Sequence, residues 1–318
     1  VLNVTSLACF KAYDLRGRIP DELNEDIAYR VGRAYAEFLE PNKVVVGHDI
    51  RLSSPEICDA LIEGLLDAGT NVYHIGECGT EEIYFATAHF EMDGGIMVTA
   101  SHNPKDYNGM KLVREDAKPI SGDTGLGEIE QMVIANDFAS VSNKGTVEPL
   151  NHRDAYIEKL LGYVDVDQLR DLRIVVNAGN GGAGAIIDKL ETFLPCEFVK
   201  VDHEANGDFP NGVPNPLLEE NRESTIEAIR TSNADLGVAW DGDFDRCFFF
   251  DASGRFIEGY YIVGLLAQAF LEQNPDNSVV HDPRLTWNTI DIVSAHRGRA
   301  IQSKTGHAFI KERMRKEG

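Results

Sequence analysis

Three stretches of the chain repeat one pattern of apolar and polar positions. A short β-branched run enters a polar or glycine-rich turn, an amphipathic helical stretch follows, and a second short apolar run closes the unit. In the first copy the run from Lys43 through Val44, Val45 and Val46 reaches Arg51, with a helix predicted over 55–68 and a strand over 70–75. The second copy predicts a strand over 173–177, a turn over 178–184, a helix over 185–193 and a strand over 197–201. The third predicts a strand and turn over 278–284, a helix over 287–296 and a strand over 299–302. Strand, helix and strand at this spacing form a βαβ unit. An α/β fold follows, built of successive domains of similar topology, each a mixed or parallel sheet covered by helices. Polar segments at 99–111, 240–246 and 304–307 come after the strands, consistent with loops delivered to a shared central cleft.

Turn residues cluster near 143–150 and 251–255, which predicts domains over 1–150, 151–253 and 254–318. The third has room for one βαβ unit and a final helix over 309–316, and is expected to lack the strands that would complete its sheet. The apolar stretch 260–271 is shorter than the roughly 18 residues a membrane span needs and reads as a buried helix.

Composition narrows the function. The chain has 318 residues, 43% of them hydrophobic, enough for several cores of a globular protein. Its 30 Lys and Arg against 52 Asp and Glu leave a net charge of −22, which disfavours nucleic acid and anionic membrane as partners. An anionic substrate would therefore need basic residues gathered locally. Cys9, Cys58, Cys78, Cys196 and Cys247 are scattered without a Cys-x-x-Cys pair, the pattern of reduced thiols in a cytoplasmic protein. Residues 1–10 carry neither a basic start nor a long apolar core and do not read as a secretory signal.

Two segments stand out chemically. In the first, an apolar strand ends in Thr99-Ala-Ser-His-Asn-Pro104, and Asp106-Tyr-Asn-Gly-Met-Lys111 follows. Ser101 beside His102, in a turn fixed by Pro104 and opened by Gly109, is a candidate exposed nucleophile. No Gly-x-Ser-x-Gly elbow surrounds it, which argues against a Ser-His-Asp hydrolase. In the second, Asp241, Asp243 and Asp245 alternate after the strand 236–240. In an extended loop, alternate residues face one side, so three carboxylates are expected to converge, and a divalent cation is the simplest relief of their repulsion. Oxygen ligands point to Mg²⁺, Mn²⁺ or Ca²⁺ rather than zinc, and Arg246 beside them suggests phosphate chemistry. The spacing is not that of an EF-hand, whose sixth and twelfth positions would here be Arg246 and Ala252.

A rival lies between them. Gly179-Asn-Gly-Gly-Ala-Gly184 fits Gly-x-Gly-x-x-Gly after a strand, and Asp202 ends the next strand where a ribose-binding acid would sit. That reading makes the middle domain the dinucleotide site of an NAD-dependent oxidoreductase and leaves the aspartate triplet without a role. The same glycines also serve a close strand-to-helix turn. Basic residues near the other motifs are Arg16, in a turn after the first apolar residues, Lys111, which closes the Asn-Gly turn, and Lys304, which opens Lys-Thr-Gly-His307. Arg18, Arg284, Lys311, Arg313, Arg315 and Lys316 read as solvated charge.

Together, Tyr13-Asp-Leu-Arg-Gly17, Thr-Ala-Ser-His-Asn-Pro, Asp-Tyr-Asn-Gly-Met-Lys, Asp-Gly-Asp-Phe-Asp-Arg and Lys-Thr-Gly-His resemble the α-D-phosphohexomutases. Their order and spacing are most similar to the bacterial phosphomannomutase/phosphoglucomutase branch. The resemblance implies that Ser101 bears a transferable phosphoryl group, supported by His102. Asp241, Asp243 and Asp245 would hold Mg²⁺, with a phosphoserine oxygen as a further ligand. Arg16 and Lys111 would assist proton transfer, Arg246 would hold the phosphoryl centre and sugar, and Lys304 and His307 would contact substrate. The implied reaction interconverts a hexose 1-phosphate and 6-phosphate, mannose phosphate in the first instance and glucose phosphate as the alternative, through a bound hexose 1,6-bisphosphate. The family's Gly-Glu-Met-Ser-type sugar loop and its fourth domain have no counterpart in this sequence. That predicts weak or absent mutase turnover with Mg²⁺ binding retained; a sugar-phosphate-binding fragment without catalysis is the other alternative.

Overall fold

The computed structural model describes residues 6–284 and 286–318. The first unit contains strands β1 (Leu15–Arg18), β2 (Lys43–His48), β3 (Asn71–Glu77), β4 (Gly94–Val98), β5 (Tyr107–Arg114) and β6 (Val147–Pro149). Its helices are α1 (Glu25–Leu39), α2 (Ser54–Asp67), α3 (Thr80–His89) and α4 (Leu126–Ala135). The strands lie in the order β1-β5-β4-β2-β3-β6, with β5 antiparallel to both of its neighbours and β2 parallel to β3 and β4. Consecutive valines explain the position of β2. Val44 and Val46 pack with α1 and α2 on one face, while Val45 packs with Ile83, Tyr84 and Ala86 of α3 on the other. A strand apolar on both faces belongs in the middle of a helix-covered sheet.

The second unit carries α5 (Arg153–Leu161), α6 (Gly184–Glu191) and α7 (Glu223–Ser232) around β7 (Arg173–Asn177), β8 (Glu197–Val201), β9 (Leu236–Trp240), β10 (Cys247–Asp251) and β11 (Phe256–Ile257). The strand order is β11-β10-β9-β7-β8, again mixed. Val175, Ile229 and Phe250 fill one face and Val176, Ala183 and Ile187 the other.

In the third unit β12 (Ser278–His281) and β13 (Arg299–Gln302) pair in parallel between α8 (Gly259–Gln273), α9 (Trp287–Ala295) and α10 (His307–Glu317). The fold class expected from the repeats is the one observed, and strands 173–177, 197–201 and 299–302 fall where the periodicity put them. Helix α8 departs from expectation. Gly264, Ala267 and Leu271 are buried, whereas Tyr261, Leu265, Leu266 and Phe270 are each more than half exposed. Its buried side packs chiefly on α9, with Gly264 against Asn288 and Ile292, and Ala267 and Leu271 against Val293.

Helix α10 docks on the first unit. His307 meets the ring of Tyr13 edge-on at 5.5 Å, Ser121 donates to Glu312 over 2.9 Å, and Arg315 donates to the Asp116 carbonyl over 3.0 Å. No described helix is long and apolar enough to cross a membrane.

Candidate active site

The serine loop leaves β4 and returns along β5. Ser101 takes a left-handed backbone, φ 50°, which costs a non-glycine residue about 1–2 kcal/mol. The loop is held from beneath by one side chain. Arg51, 1% exposed, donates from Nη1 to the carbonyls of Pro104 (2.7 Å) and Tyr107 (3.0 Å), and from Nη2 to those of Ser101 (2.9 Å) and Asn103 (2.6 Å). The Ser101 amide donates to Thr99 Oγ1 over 2.9 Å, and that hydroxyl donates to Asp49 over 2.7 Å. Asn108, Gly109 and Lys111, expected in a turn, lie in β5 instead. Arg16, also expected in a turn, lies in β1 opposite Gly109; a strand pairing on both sides of β5 aligns the two cations. Arg16 is held by Asp14 at 3.0 Å and by the Thr99 carbonyl at 2.6 Å.

The aspartate loop connects β9 to β10 and meets the serine loop across the seam between the two units. Ser101 Oγ donates to Asp241 Oδ2 over 2.8 Å, with His102 Nδ1 3.2 Å from the same hydroxyl. The three carboxylates converge, each offering an oxygen within 4.8 Å of the others. They do so by a different route from the alternation of an extended loop. The backbone turns, with the Phe244 amide donating to the Asp241 carbonyl over 3.1 Å and Phe244 at φ 44°. The Phe244 ring lies where a Cβ on Gly79 or Gly182 would stand, so both positions require glycine for this close approach. At the start of α3, Thr80 pins the loop, donating from Oγ1 to Asp243 Oδ2 over 2.6 Å and from its amide to the Asp243 carbonyl over 3.2 Å.

Lys111 crosses the seam from β5. Its ammonium lies 2.6 Å from Asp243 Oδ2 and 2.7 Å from Asp245 Oδ2. Burial works against that charge, but the two carboxylates outweigh it and keep Lys111 protonated. Burial likewise works to raise the Asp243 carboxyl, and the cations of Lys111 and then Arg16 hold it well below the usual range. Asp241 has no such partner: burial and then the charges of Asp243 and Asp245 push it up to about 8. Arg246, 45% exposed, stands 3.9 Å from Asp241 and 3.8 Å from Asp245. His102 is pulled down to about 4 by burial and then by Arg246 and Arg16.

These residues fit a hard divalent cation. Asp243 Oδ1 and Asp245 Oδ1 are buried without a hydrogen-bond partner, which leaves acceptors that only a cation or a donor from solution would satisfy. Asp241 and Ser101 are close enough for a phosphoserine oxygen to join them.

His307 belongs to the same neighbourhood. Burial, followed by the charges of Lys111, Lys311, Arg16 and Arg246, pulls it down to about 3. Lys304 does not: it is 72% exposed and pairs with Asp123 at 3.3 Å. Lys311, expected to be solvated, is half-buried, 3.6 Å from Glu81 and over the Tyr84 ring at 3.8 Å, with Asp245 and Lys111 among the charges it feels. Its four-residue spacing from His307 on α10, which puts both on one face, was the available signal. Asp49 and Arg51 follow β2 as Asp-x-Arg, and a charged pair just past a strand's carboxyl end was their signal.

Residues 8–140, 154–254 and 258–318 match, in turn, the alpha/beta/alpha domains I, II and III of phosphoglucomutase/phosphomannomutase. The chain belongs to that family. It is 58% identical over 318 residues to a phosphomannomutase of Escherichia coli (strain K12), a match covering 98% of this chain and 70% of that protein. It is 59% identical over 312 residues to the phosphohexose mutases of Xanthomonas campestris pv. campestris (strain B100), covering 98% of this chain and 70% of the relative. Among solved structures, a phosphoglucomutase/phosphomannomutase family protein from Burkholderia thailandensis superposes with a TM-score of 0.92 at 34% identity. That superposition covers 98% of this chain and 69% of the other. Within the phosphoglucomutase/phosphomannomutase family, the serine and aspartate loops described above fall in domains I and II.

Proposed function

We propose that the chain interconverts mannose 6-phosphate and mannose 1-phosphate by phosphoryl transfer through Ser101 and a bound hexose 1,6-bisphosphate. The observation that carries this reading is the 2.8 Å contact between the Ser101 hydroxyl and Asp241, made across the seam between two domains beside unpartnered carboxylate oxygens. A nucleophilic hydroxyl is thereby aimed at a cation site, the arrangement phosphoryl transfer needs. The names of the relatives from Escherichia coli and Xanthomonas campestris point the same way.

In the first half-reaction the Oγ–P bond of phospho-Ser101 breaks as an O–P bond to the sugar hydroxyl forms. The hydroxyl proton leaves to a neighbouring base and the serine oxygen takes up a proton. The bisphosphate then reorients, and the reverse transfer of its other phosphate regenerates phosphoserine. Asp241, Asp243 and Asp245 would hold Mg²⁺, which when bound supplies positive charge to the transferring group. Lys111, clasped by two carboxylates, acts as a fixed cation rather than a base. Arg16 and Arg246 flank the phosphoryl position, His102 lies beside Ser101 Oγ, and His307 faces the site from domain III. Lys304 stands apart, a weaker candidate for substrate contact. The three domains are read as 1–150, 151–253 and 254–318.

Incubation with labelled glucose 1,6-bisphosphate and Mg²⁺, followed by peptide mapping, tests the reading. The label is expected on the peptide bearing Ser101 and absent from Ser101→Ala; bisphosphate binding without labelling would refute it. Comparing kcat/KM for mannose 1-phosphate and glucose 1-phosphate then settles sugar preference.

A further inference from the structure

The backbone of Ser101 is tied down at both ends by one short strand-end segment. Its carbonyl accepts from Arg51 Nη2, and its amide is held through Thr99 by Asp49, two residues before Arg51. Asp49 also accepts from the Arg51 amide over 3.1 Å and from Ser54 Oγ over 2.5 Å, and lies 3.3 Å from Arg51 Nε. Four carbonyls of one loop converge on the guanidinium. Such a convergence of buried dipoles is unfavourable without a cation at its centre, and two separate Nη groups are needed to reach all four acceptors. A lysine, with a single nitrogen, cannot span them.

The clamp reaches domain II. The guanidinium faces the Phe209 ring at 5.5 Å, and the Ser101 carbonyl lies 2.7 Å from where a Cβ on Gly242 would be. The oxygen that Arg51 holds is therefore also a surface against which the aspartate loop packs.

We propose that Arg51, backed by Asp49, is a positioning residue for phosphoryl transfer: its planar fork holds the left-handed backbone at Ser101 and so aims Oγ at Asp241. Arg51 touches neither the hydroxyl nor the carboxylate triplet by any hydrogen bond described; it acts through the loop. The alternative is a buried cation that merely stabilises the fold. A stabiliser would alter the folded fraction, whereas a positioning residue alters the rate of the folded protein.

This inference rests on the reading of Ser101 as phosphoryl acceptor, so the experiment separates the two. Rapid-quench labelling with glucose 1,6-bisphosphate and Mg²⁺ is run on the parent protein and on Arg51→Lys. Displacing a reacting atom by about 1 Å costs about 100-fold in rate, and a loss of that order is expected in Arg51→Lys. The half-saturating bisphosphate concentration should stay within about threefold, because the loss falls on the transfer step. Mn²⁺ affinity should be unchanged. Hydrogen exchange across 99–107 should quicken in Arg51→Lys while the domain II sheet is unaffected. In Arg51→Ala, methylguanidinium should restore part of the rate and methylammonium none. Should both Arg51 variants fail to fold, Asp49→Asn, of the same shape, is expected to label about tenfold more slowly. Labelling of either folded variant at the parental rate, or exchange over 99–107 unchanged from the parent, overturns the proposal. An unlabelled parent overturns the reading of Ser101 instead, and the exchange measurement still judges the clamp.

Discussion

The glycine turn after β7 and the aspartate loop after β9 leave the carboxyl ends of two paired parallel strands, yet they differ in what their polar groups are doing. In the turn, the amide of Gly179 donates to Asn177 Oδ1 (2.8 Å), that of Asn180 to the Asp202 carbonyl (2.6 Å) and that of Gly181 to the Ala178 carbonyl (2.8 Å). The Gly182 amide donates to the Gly242 carbonyl over 3.2 Å, inside the aspartate loop. A diphosphate needs those amides free, and here they are engaged. The turn is a shelf for the aspartate loop. In the aspartate loop the reverse holds: Asp243 and Asp245 each keep a buried carboxylate oxygen without a partner, and His307 Nε2, facing the site from domain III, is likewise buried without one. A hydrogen-bond account of main chain and side chains thus separates two motifs whose sequences both suggest ligands.

The largest effect should come from breaking the unequal pairing within the triplet. Asp243 Oδ2 accepts from both Lys111 and Thr80, whereas the nearest cation to Asp241 is Arg246 at 3.9 Å. Removing one partner of a buried ion pair typically costs about 3–5 kcal/mol, so Asp243→Asn should lower metal-free stability by roughly that amount. Asp241→Asn instead relieves repulsion and should leave metal-free stability equal or higher. Both should lose Mg²⁺ binding. Melting in EDTA and then in Mg²⁺ distinguishes them; equal destabilisation by the two variants would contradict the assigned roles.

Next in size is the shelf. A Cβ on Gly182 would stand 2.8 Å from the Phe244 ring. Such overpacking costs about 1–3 kcal/mol, and the ring's displacement should carry Asp243 and Asp245 with it. Gly182→Ala is expected to weaken Mg²⁺ binding about tenfold, a cost of about 1.4 kcal/mol, within that range. NADH fluorescence should be insensitive to the parent and the variant alike. Nicotinamide binding that vanished in Gly182→Ala would restore the dinucleotide reading.

The same accounting explains what sequence alone could reach. Valine runs such as 44–46 and 175–176 depend on burial, which the apolar pattern reports, so the sheets were legible. Ser101 and the triplet were legible because no ordinary turn needs that chemistry. The manner of convergence was not, since the turn at Phe244 depends on Gly79 and Gly182, one of them in another domain. Arg51 was only half legible for a related reason: Asp-x-Arg marked a charged pair, but the carbonyls it holds carry no side-chain signature. Lys311 looked like one charge in a basic helix end, and only the docking of α10 on domain I turns it inward. For Lys304, the motif was legible but the side chain's exposure was not.

The smallest predicted effect tests the third domain's share of the unpartnered groups. His307 Nε2 is buried without a partner, and the charges it feels come from Lys111 on β5, Arg16 on β1, Arg246 in the aspartate loop and Lys311 on its own helix. The unfolded chain takes up a proton on this histidine near 6.5, whereas the folded protein resists until about 3. Its contribution to stability is therefore complete above 6.5 and falls away as pH drops towards 3. Between pH 7.5 and 5.5 that loss should be about 1 kcal/mol. In His307→Asn the group is gone, so the decline in melting temperature over this interval should be smaller than in the parent, all other titrations being shared. An identical decline would mean that the imidazole reaches water in the folded protein. The difference should also shrink when Lys111 is replaced by methionine, because one of the cations opposing protonation is then removed.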